Sequence, residues 1–353
     1  MNMTDIAAQR LHNQFLITGL ANPQNVVRKL GAMQAQDFTG AKWAVGLRSK
    51  DTTDGVVTKL FNEGKILRTH MLRPTWHFVA PEDIRWMQSL TAPRVHAFSK
   101  YYYKKEGLDE ETLRKGMAVL GRTLKGGNQL TRTEVAAAFG DAGIDASGIK
   151  LAYLIMYAEL EAVVCSGAMK GKQHTIALVA ERAPHAKTLP KEQALKEFVT
   201  RYFTAHGPAT IQDLAWWSSL SIADVKSGIE LADLQQVEVE KKTFYFAKQA
   251  DTTILSPLVH LLPNYDEYLI AYKDRSAAGQ VVLDKAPAPD DFFYHFVTLD
   301  GQLVGGWKRK IGKSPTIDLT MFKHFGAKQS KALDAAAQRL EDFMQLPVAC
   351  IES

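Results

Sequence analysis

At 353 residues the chain is longer than one hydrophobic core usually supports, so roughly two to four modules are expected. Hydrophobic residues make up 46% and charged residues 23%, an ordinary globular balance that excludes a long disordered tail. With 43 Lys and Arg against 38 Asp and Glu, the net charge of +5 suits a polyanionic partner without requiring one.

Met1 to Asp5 lead straight into an amphipathic segment with no basic start, apolar stretch or small-residue cleavage site, so export is not expected. A helix is expected from about Thr4 to Thr18, with Ile6, Leu11, Phe15 and Leu16 near helical spacing. Asn22-Pro23 reads as an N-cap and N1 pair opening a second helix through Val26, Val27, Leu30 and Met33. A short helix near Gly55 to Asn62 and an alternating run from Ile66 to Val79, read as a two-stranded wing, complete a first unit over 1–85.

A second unit, 86–185, is expected from a lead helix over Leu108 to Leu124, a capping box at Thr131-Arg132-Thr133-Glu134 and an apolar helix from Ile149 to Leu160. The richest apolar stretch, Leu151 to Val164, is broken by Glu159 and Glu161, and no window reaches the roughly 18 residues of a membrane span. Val163 to Val179 then reads as strand, basic tip and strand, with Lys170, Lys172 and His174 at the tip. The third unit, 186–252, runs from a helix over Lys191 to Ala205, through Thr210 to Trp217 and a helix after Ser221, to strands at Val237 to Glu240 and Thr243 to Phe246. Trp216-Trp217 reads as core rather than a base-stacking platform.

From Thr253 to Ser353 the pattern changes to short apolar strands broken by Asn264, Gly279 and Pro287-Ala288-Pro289. Asp300-Gly301 between Phe296 to Leu299 and Gln302 to Val304 is a strong hairpin signal, and a terminal helix is expected over Lys328 to Met344. The expectation is α+β: three winged-helix units, then a C-terminal antiparallel β-barrel. Cys165 and Cys350 are too few for a disulfide framework or a structural zinc site, and both read as core residues.

No nucleotide-binding glycine loop, metal-ligand spacing or nucleophile elbow occurs, so neither cofactor nor metal is expected. Attention falls on Ala32-Met33-Gln34-Ala35-Gln36-Asp37-Phe38. Side chains two apart diverge by roughly 200° on a helix but face the same way on an extended chain. For Gln34 and Gln36 to act together the helix must therefore end near Met33. A carboxamide donates and accepts hydrogen bonds without a useful pKa, so such a pair could hold a water for a leaving group that departs readily.

Leu30-Gly31-Ala32-Met33-Gln34-Ala35-Gln36-Asp37 resembles the catalytic segment of the AlkZ-type winged-helix DNA glycosylases, with its Gln-apolar-Gln motif. Arg68 to Val79 resembles the family's first wing, and Leu261 to Leu269 with Asp274-Arg275 resembles the segment entering the C-terminal barrel. Asp300-Gly301 and Val304 to Arg309 also fit, so the likeness spans nearly the whole chain. A sister group carries Gln-apolar-Asp, and Gln36 places this sequence on the other side.

The resemblance implies a C-shaped clamp on duplex DNA that hydrolyses the N-glycosidic bond of alkylated purines, cross-linked ones included. It implies Gln34 and Gln36 as the water-holding pair, with Asp37 ranked below them. His77 and Arg73 would lie near the cleft, and Asp266, Tyr268, Tyr272 and Arg275 could line its far side. Lys308-Arg309-Lys310 and Lys170-Gly171-Lys172 are the candidates for phosphate contact. The partner expected is double-stranded DNA, with a monomer in the cytoplasm, associated with the nucleoid. The competing reading is a non-catalytic winged-helix DNA-binding protein or transcriptional regulator, although three unlike units offer no obvious dimer logic.

Overall fold

The computed structural model describes residues 1–250, 253–279, 295–310, 316–347 and 349–352. Helix α1 (Met3–Asn13) starts at a capping box between Asn2 and Asp5 and ends well short of Thr18. Helix α2 (Pro23–Leu30) opens on the expected Asn22-Pro23 cap and stops at Gly31, whose φ of 84° an L side chain would resist. Strand β1 (Ala32–Gln34) follows at once. Met33 is therefore a buried strand residue rather than the last turn of a helix.

Helix α3 (Phe38–Leu47), capped by Asp37, precedes α4 (Asp54–Asn62). Strands β2 (Leu67–Met71) and β3 (Thr75–Val79) form the hairpin expected from alternation. Strand β1 pairs antiparallel with the other edge of β3, giving the order β1-β3-β2. Helix α5 (Ile84–Lys105), with Pro93 inside it, follows. Its Trp86 and Met87 enter one core, and its Val95 and Tyr103 enter another.

Next come α6 (Glu110–Thr123), β4 (Leu130–Thr131), α7 (Arg132–Asp141), α8 (Lys150–Leu160), β5 (Val164–Ser166), β6 (Thr175–Leu178) and a short α9 (Val179–Arg182). The Thr131/Glu134 capping box forms as expected. The residues flanking the β5–β6 tip pack inward, Met169 N donating to Asn62 Oδ1 at 2.9 Å and the His174 ring meeting Phe38 edge-on at 4.6 Å, while Lys170 to Gln173 at the tip itself are exposed. Cys165 is buried, and the Cys350 side chain lies outside the described residues. After α9 come α10 (Lys191–Ala205), α11 (Ile211–Ser218), α12 (Ile222–Leu231) and the hairpin β7 (Gln235–Val239) to β8 (Lys242–Phe246). Trp217 is core, whereas Trp216 is 45% exposed.

The C-terminal part holds β9 (Val259–Leu262), α13 (Glu267–Ile270), β10 (Phe296–Leu299), β11 (Gln302–Lys310), β12 (Thr316–Met321), α14 (Ala327–Met344) and β13 (Ala349–Glu352). Asp300 and Gly301, both at positive φ, make the expected hairpin turn. The expected antiparallel barrel is not what forms. Among the described residues the strands make one open five-stranded sheet, ordered β13-β12-β11-β10-β9, with β12 and β13 parallel. The physical reason is α14, which serves as the crossover that a parallel neighbour requires. The Pro287-Ala288-Pro289 loop lies outside the described residues.

This sheet and α14 share one core with α2, α3 and α4. Trp43 Nε1 donates to Leu261 O at 2.7 Å, and Arg339 Nη2 donates to Leu47 O at 2.6 Å. At Gly46 a Cβ would come within 2.5 Å of the Phe343 ring, so the helices approach as only glycine allows. Helix α3, which begins just after the glutamine motif, is thus clamped from the C-terminal side. No helix among the described residues is long and apolar enough to cross a membrane.

Candidate active site

The motif is held by its backbone before its side chains matter. Gln34 lies opposite His77 in the β1–β3 ladder, so the two side chains share a face. Beyond the strand, Ala35 N donates to Trp76 O at 2.7 Å, and Arg68 Nε donates to Ala35 O at 2.9 Å. Asp37 then ends the extended segment by capping α3, its Oδ1 accepting from Gly40 N at 3.1 Å. Gln34 is 7% exposed, whereas Gln36 is exposed at the rim.

Each amide oxygen accepts from a donor of the protein. Gln34 Oε1 accepts from Arg73 Nη2 at 2.6 Å, and Arg73 Nη1 is anchored on Trp217 O at 2.8 Å. Gln36 Oε1 accepts from Trp76 N at a longer 3.3 Å. Each Nε2 therefore turns away from these contacts, and neither has a partner among the described residues. Gln34 is left as a donor, while Gln36 keeps donors and a second oxygen lone pair.

Behind Gln34 sits a carboxylate that sequence reasoning did not single out. Glu267, 1% exposed at the start of α13, accepts from Gln34 N at 2.7 Å and from Trp217 Nε1 at 2.9 Å, with His206 Nε2 at 3.6 Å. The available signal was an acidic pair, Asp266-Glu267, inside an otherwise apolar segment. Burial lowers the Arg73 pKa, an effect Glu267 opposes and Arg275 reinforces.

His77 is wholly buried; its ring Nδ1 lies 3.0 Å from Thr75 O, which assigns the proton to Nδ1, and Nε2 has no partner. Burial, helped by Arg73, holds its pKa well below the usual histidine value. Its neighbour His70 is paired with Glu159, and its ring packs on Trp76 at 4.4 Å. Arg68 lies over the other ring system of this stack, 4.3 Å from the Trp76 centroid. Burial pushes the Arg68 pKa down to about 10, with Glu159 and Asp37 opposing.

The fold thus gathers Gln34, Gln36, Asp37, Arg73 and His77. The other candidates are placed differently. Asp266 is engaged by Arg48 through two hydrogen bonds of 2.7 and 2.8 Å, with both side chains fully buried. Tyr268 donates to Gly301 O at 2.9 Å, and Tyr272 donates to His206 O at 2.8 Å; both phenols are buried. Arg275 Nε donates to Leu269 O. Lys170 is paired with Glu134 at 2.8 Å, Lys172 is exposed, Lys308 is exposed on β11, and Arg309 Nη1 contacts Met344 Sδ. The Lys310 side chain lies outside the described residues.

No group of acidic, histidine and cysteine side chains that could hold a metal occurs among the described residues. What the site offers is oriented amide donors, one amide acceptor and fixed charge, which is equipment for positioning a polar molecule.

The chain matches the family model described as DNA glycosylase AlkZ-like over residues 27–343. It is 24% identical over 322 residues to a protein of Streptomyces sahachiroi named interstrand DNA cross-link repair glycosylase, covering 86% of each chain. The solved structure of Streptomyces sahachiroi DNA glycosylase AlkZ has a similar fold, with a TM-score of 0.81 at 22% identity over 99% of this chain and 100% of that one. With the family model spanning nearly the whole chain, the protein belongs to the AlkZ-like DNA glycosylase family.

Proposed function

We propose that this chain is a monofunctional DNA glycosylase that hydrolyses the N-glycosidic bond of alkylated purines in duplex DNA, interstrand cross-links among them. The observation that carries the reading is the pair of oriented carboxamides, Gln34 fixed by Arg73 and Gln36 by the Trp76 backbone. The name of the Streptomyces relative supports the lesion class. Alkylation at N3 or N7 makes the purine cationic, so it departs as a neutral molecule without a strong general acid. A water that accepts from Gln34 Nε2 and donates to Gln36 Oε1 keeps one lone pair for C1′. The bond from C1′ to the base breaks with its electron pair going to the purine. The water oxygen bonds to C1′, and its proton leaves to solvent or to Asp37.

No lysine lies in the motif segment, which favours hydrolysis over Schiff-base lyase chemistry. Three winged-helix units at 1–85, 86–185 and 186–252, followed by the C-terminal sheet, would form a C-shaped clamp around the duplex, acting as a monomer in the nucleoid. Lys170, Lys172, Lys308, Arg309, Lys310, Arg73 and Arg275 are the cations proposed to face DNA, while Asp266 and Tyr268 act through the scaffold. Incubation with N7-methylated and cross-linked duplexes tests the reading. Release of the modified base, leaving an abasic site without strand cleavage, is the expected result. Salt-sensitive duplex binding with no base released from either duplex would favour the regulator.

A further inference from the structure

A second polar corner, with one buried acceptor left unmet, adjoins the motif. Its residues come from the C-terminal sheet. Asn264, just after β9, donates its backbone N–H to His295 Nδ1 at 2.8 Å. Because Nδ1 is the acceptor, the neutral ring carries its proton on Nε2. That Nε2–H meets no partner among the described residues.

The ring is nevertheless fixed. It stacks on Trp307 with centroids 4.5 Å apart and planes 30° apart, and Trp307 N donates to His295 O at 3.2 Å. Trp307 itself is buried and donates through Nε1 to Leu262 O at 2.9 Å. Beside the ring, Asn264 Oδ1 is buried with no hydrogen-bond partner. A buried acceptor without a partner is uncommon in a native fold, and here it lies beside an imidazole N–H that stays within reach of solvent, so the corner pairs one unmet acceptor with one available donor.

The corner also borders the end of the motif. Pro263 comes within 3.3 Å of the position a Cβ on Gly40 would take, and Gly40 N is bonded to Asp37, the residue after Gln36. Burial holds the His295 pKa down at about 4, with Asp37 opposing and Arg309 reinforcing.

We propose that His295 is a substrate-contacting residue of this site, donating its Nε2–H to a ring-nitrogen or carbonyl acceptor of the departing purine. The assignment rests on the glycosylase reading above. A cationic base repels an imidazolium, whereas a neutral imidazole donates without that penalty. As the bond to C1′ breaks, electron density builds on the purine acceptors, so the hydrogen bond strengthens toward the transition state.

The test is single-turnover release of N7-methylguanine from a methylated duplex by wild type, His295→Phe and His295→Gln, with duplex affinity and thermal unfolding measured alongside. In His295→Gln the amide nitrogen takes the place of Nε2, but nothing replaces Nδ1 for Asn264. The assignment expects His295→Phe to lose about 10²-fold in rate with affinity unchanged, and His295→Gln to recover most of it. Wild-type rate in His295→Phe overturns it, as does an equal fall in both variants accompanied by a loss of thermal stability. No release by wild type from this duplex or from a cross-linked one overturns the glycosylase reading itself, and the assignment with it.

Discussion

Arg73 donates to Gln34 Oε1 at 2.6 Å while its other terminal nitrogen is fixed on the carbonyl of Trp217. This bridge ties the motif strand to α11 and decides which end of the Gln34 amide is free. Arg73→Ala should therefore lower the single-turnover release rate by about 10- to 100-fold, with a smaller effect on duplex affinity. Arg73→Lys should not restore the rate, because one ammonium lacks the planar fork that spans both acceptors. A full-rate Arg73→Lys variant would show that amide orientation is immaterial.

Glu267 anchors the same strand from behind. Glu267→Ala leaves the Gln34 N–H and the Trp217 indole N–H without their buried acceptor. A cost of about 2–6 kcal/mol follows from two such unmet donors, measurable by urea unfolding. Glu267→Gln keeps one acceptor oxygen and should cost less.

Asp266 and Arg48 form a fully buried ion pair. Asp266→Ala should destabilise by about 3–5 kcal/mol, because it strands the guanidinium. At temperatures where the variant stays folded, its release rate should remain close to that of wild type. A rate loss without a stability loss would instead place Asp266 in the cleft.

His260 is wholly buried, with its Nε2 3.0 Å from Leu16 O. Burial lowers its pKa from 6.5 to about 4, with Arg339 and Arg48 adding to the effect and the Leu16 hydrogen bond and Asp266 opposing it. The folded-state value lies below the unfolded one, so the unfolded chain takes up the proton first. Stability is full above about pH 6.5 and falls toward pH 4, by on the order of 3 kcal/mol from this group. Urea midpoints from about pH 7 down to 5 should show a shallower decline in His260→Gln than in wild type.

Lys172 is exposed, whereas Lys170 is paired with Glu134 on α7. If the β5–β6 tip meets phosphates, Lys172→Ala should weaken duplex binding uniformly across sequences and reduce the salt slope by roughly one. Lys170→Ala should do less, since its ammonium already has a partner. An unchanged slope in Lys172→Ala would remove that tip from the DNA face.

Elements with a strong local signal were legible in the sequence. Helix α10, the β2–β3 and β5–β6 hairpins, the Thr131 capping box and the Asp300-Gly301 turn all form where periodicity and turn chemistry place them. Helix α3 was not legible, because every residue from Gly40 to Leu47 is buried and the segment has no polar face to give a period. Helix α5 was hidden by Pro93 and a weak apolar stripe split between two cores. The open sheet depends on a parallel pairing made after an 18-residue helix, a long-range choice that no local pattern records.

At the site, joint action of Gln34 and Gln36 needs the helix to end near Met33, and Gly31 ends it at Leu30. Glu267 and His295 escaped notice because their roles come from partners more than 30 residues away in sequence, Gln34 and Asn264. Asp266 and Tyr268 stood out by residue type, but their polar groups turn inward to Arg48 and Gly301.

The most direct test of the account is release of N7-methylguanine from a methylated duplex by Gln34→Ala and Gln36→Ala beside wild type, with duplex affinity measured for all three. The account predicts release by wild type and a fall of about 10²- to 10³-fold in each variant, with binding retained. Wild-type release that persists undiminished in both variants would contradict it, placing the chemistry elsewhere than on the glutamine pair.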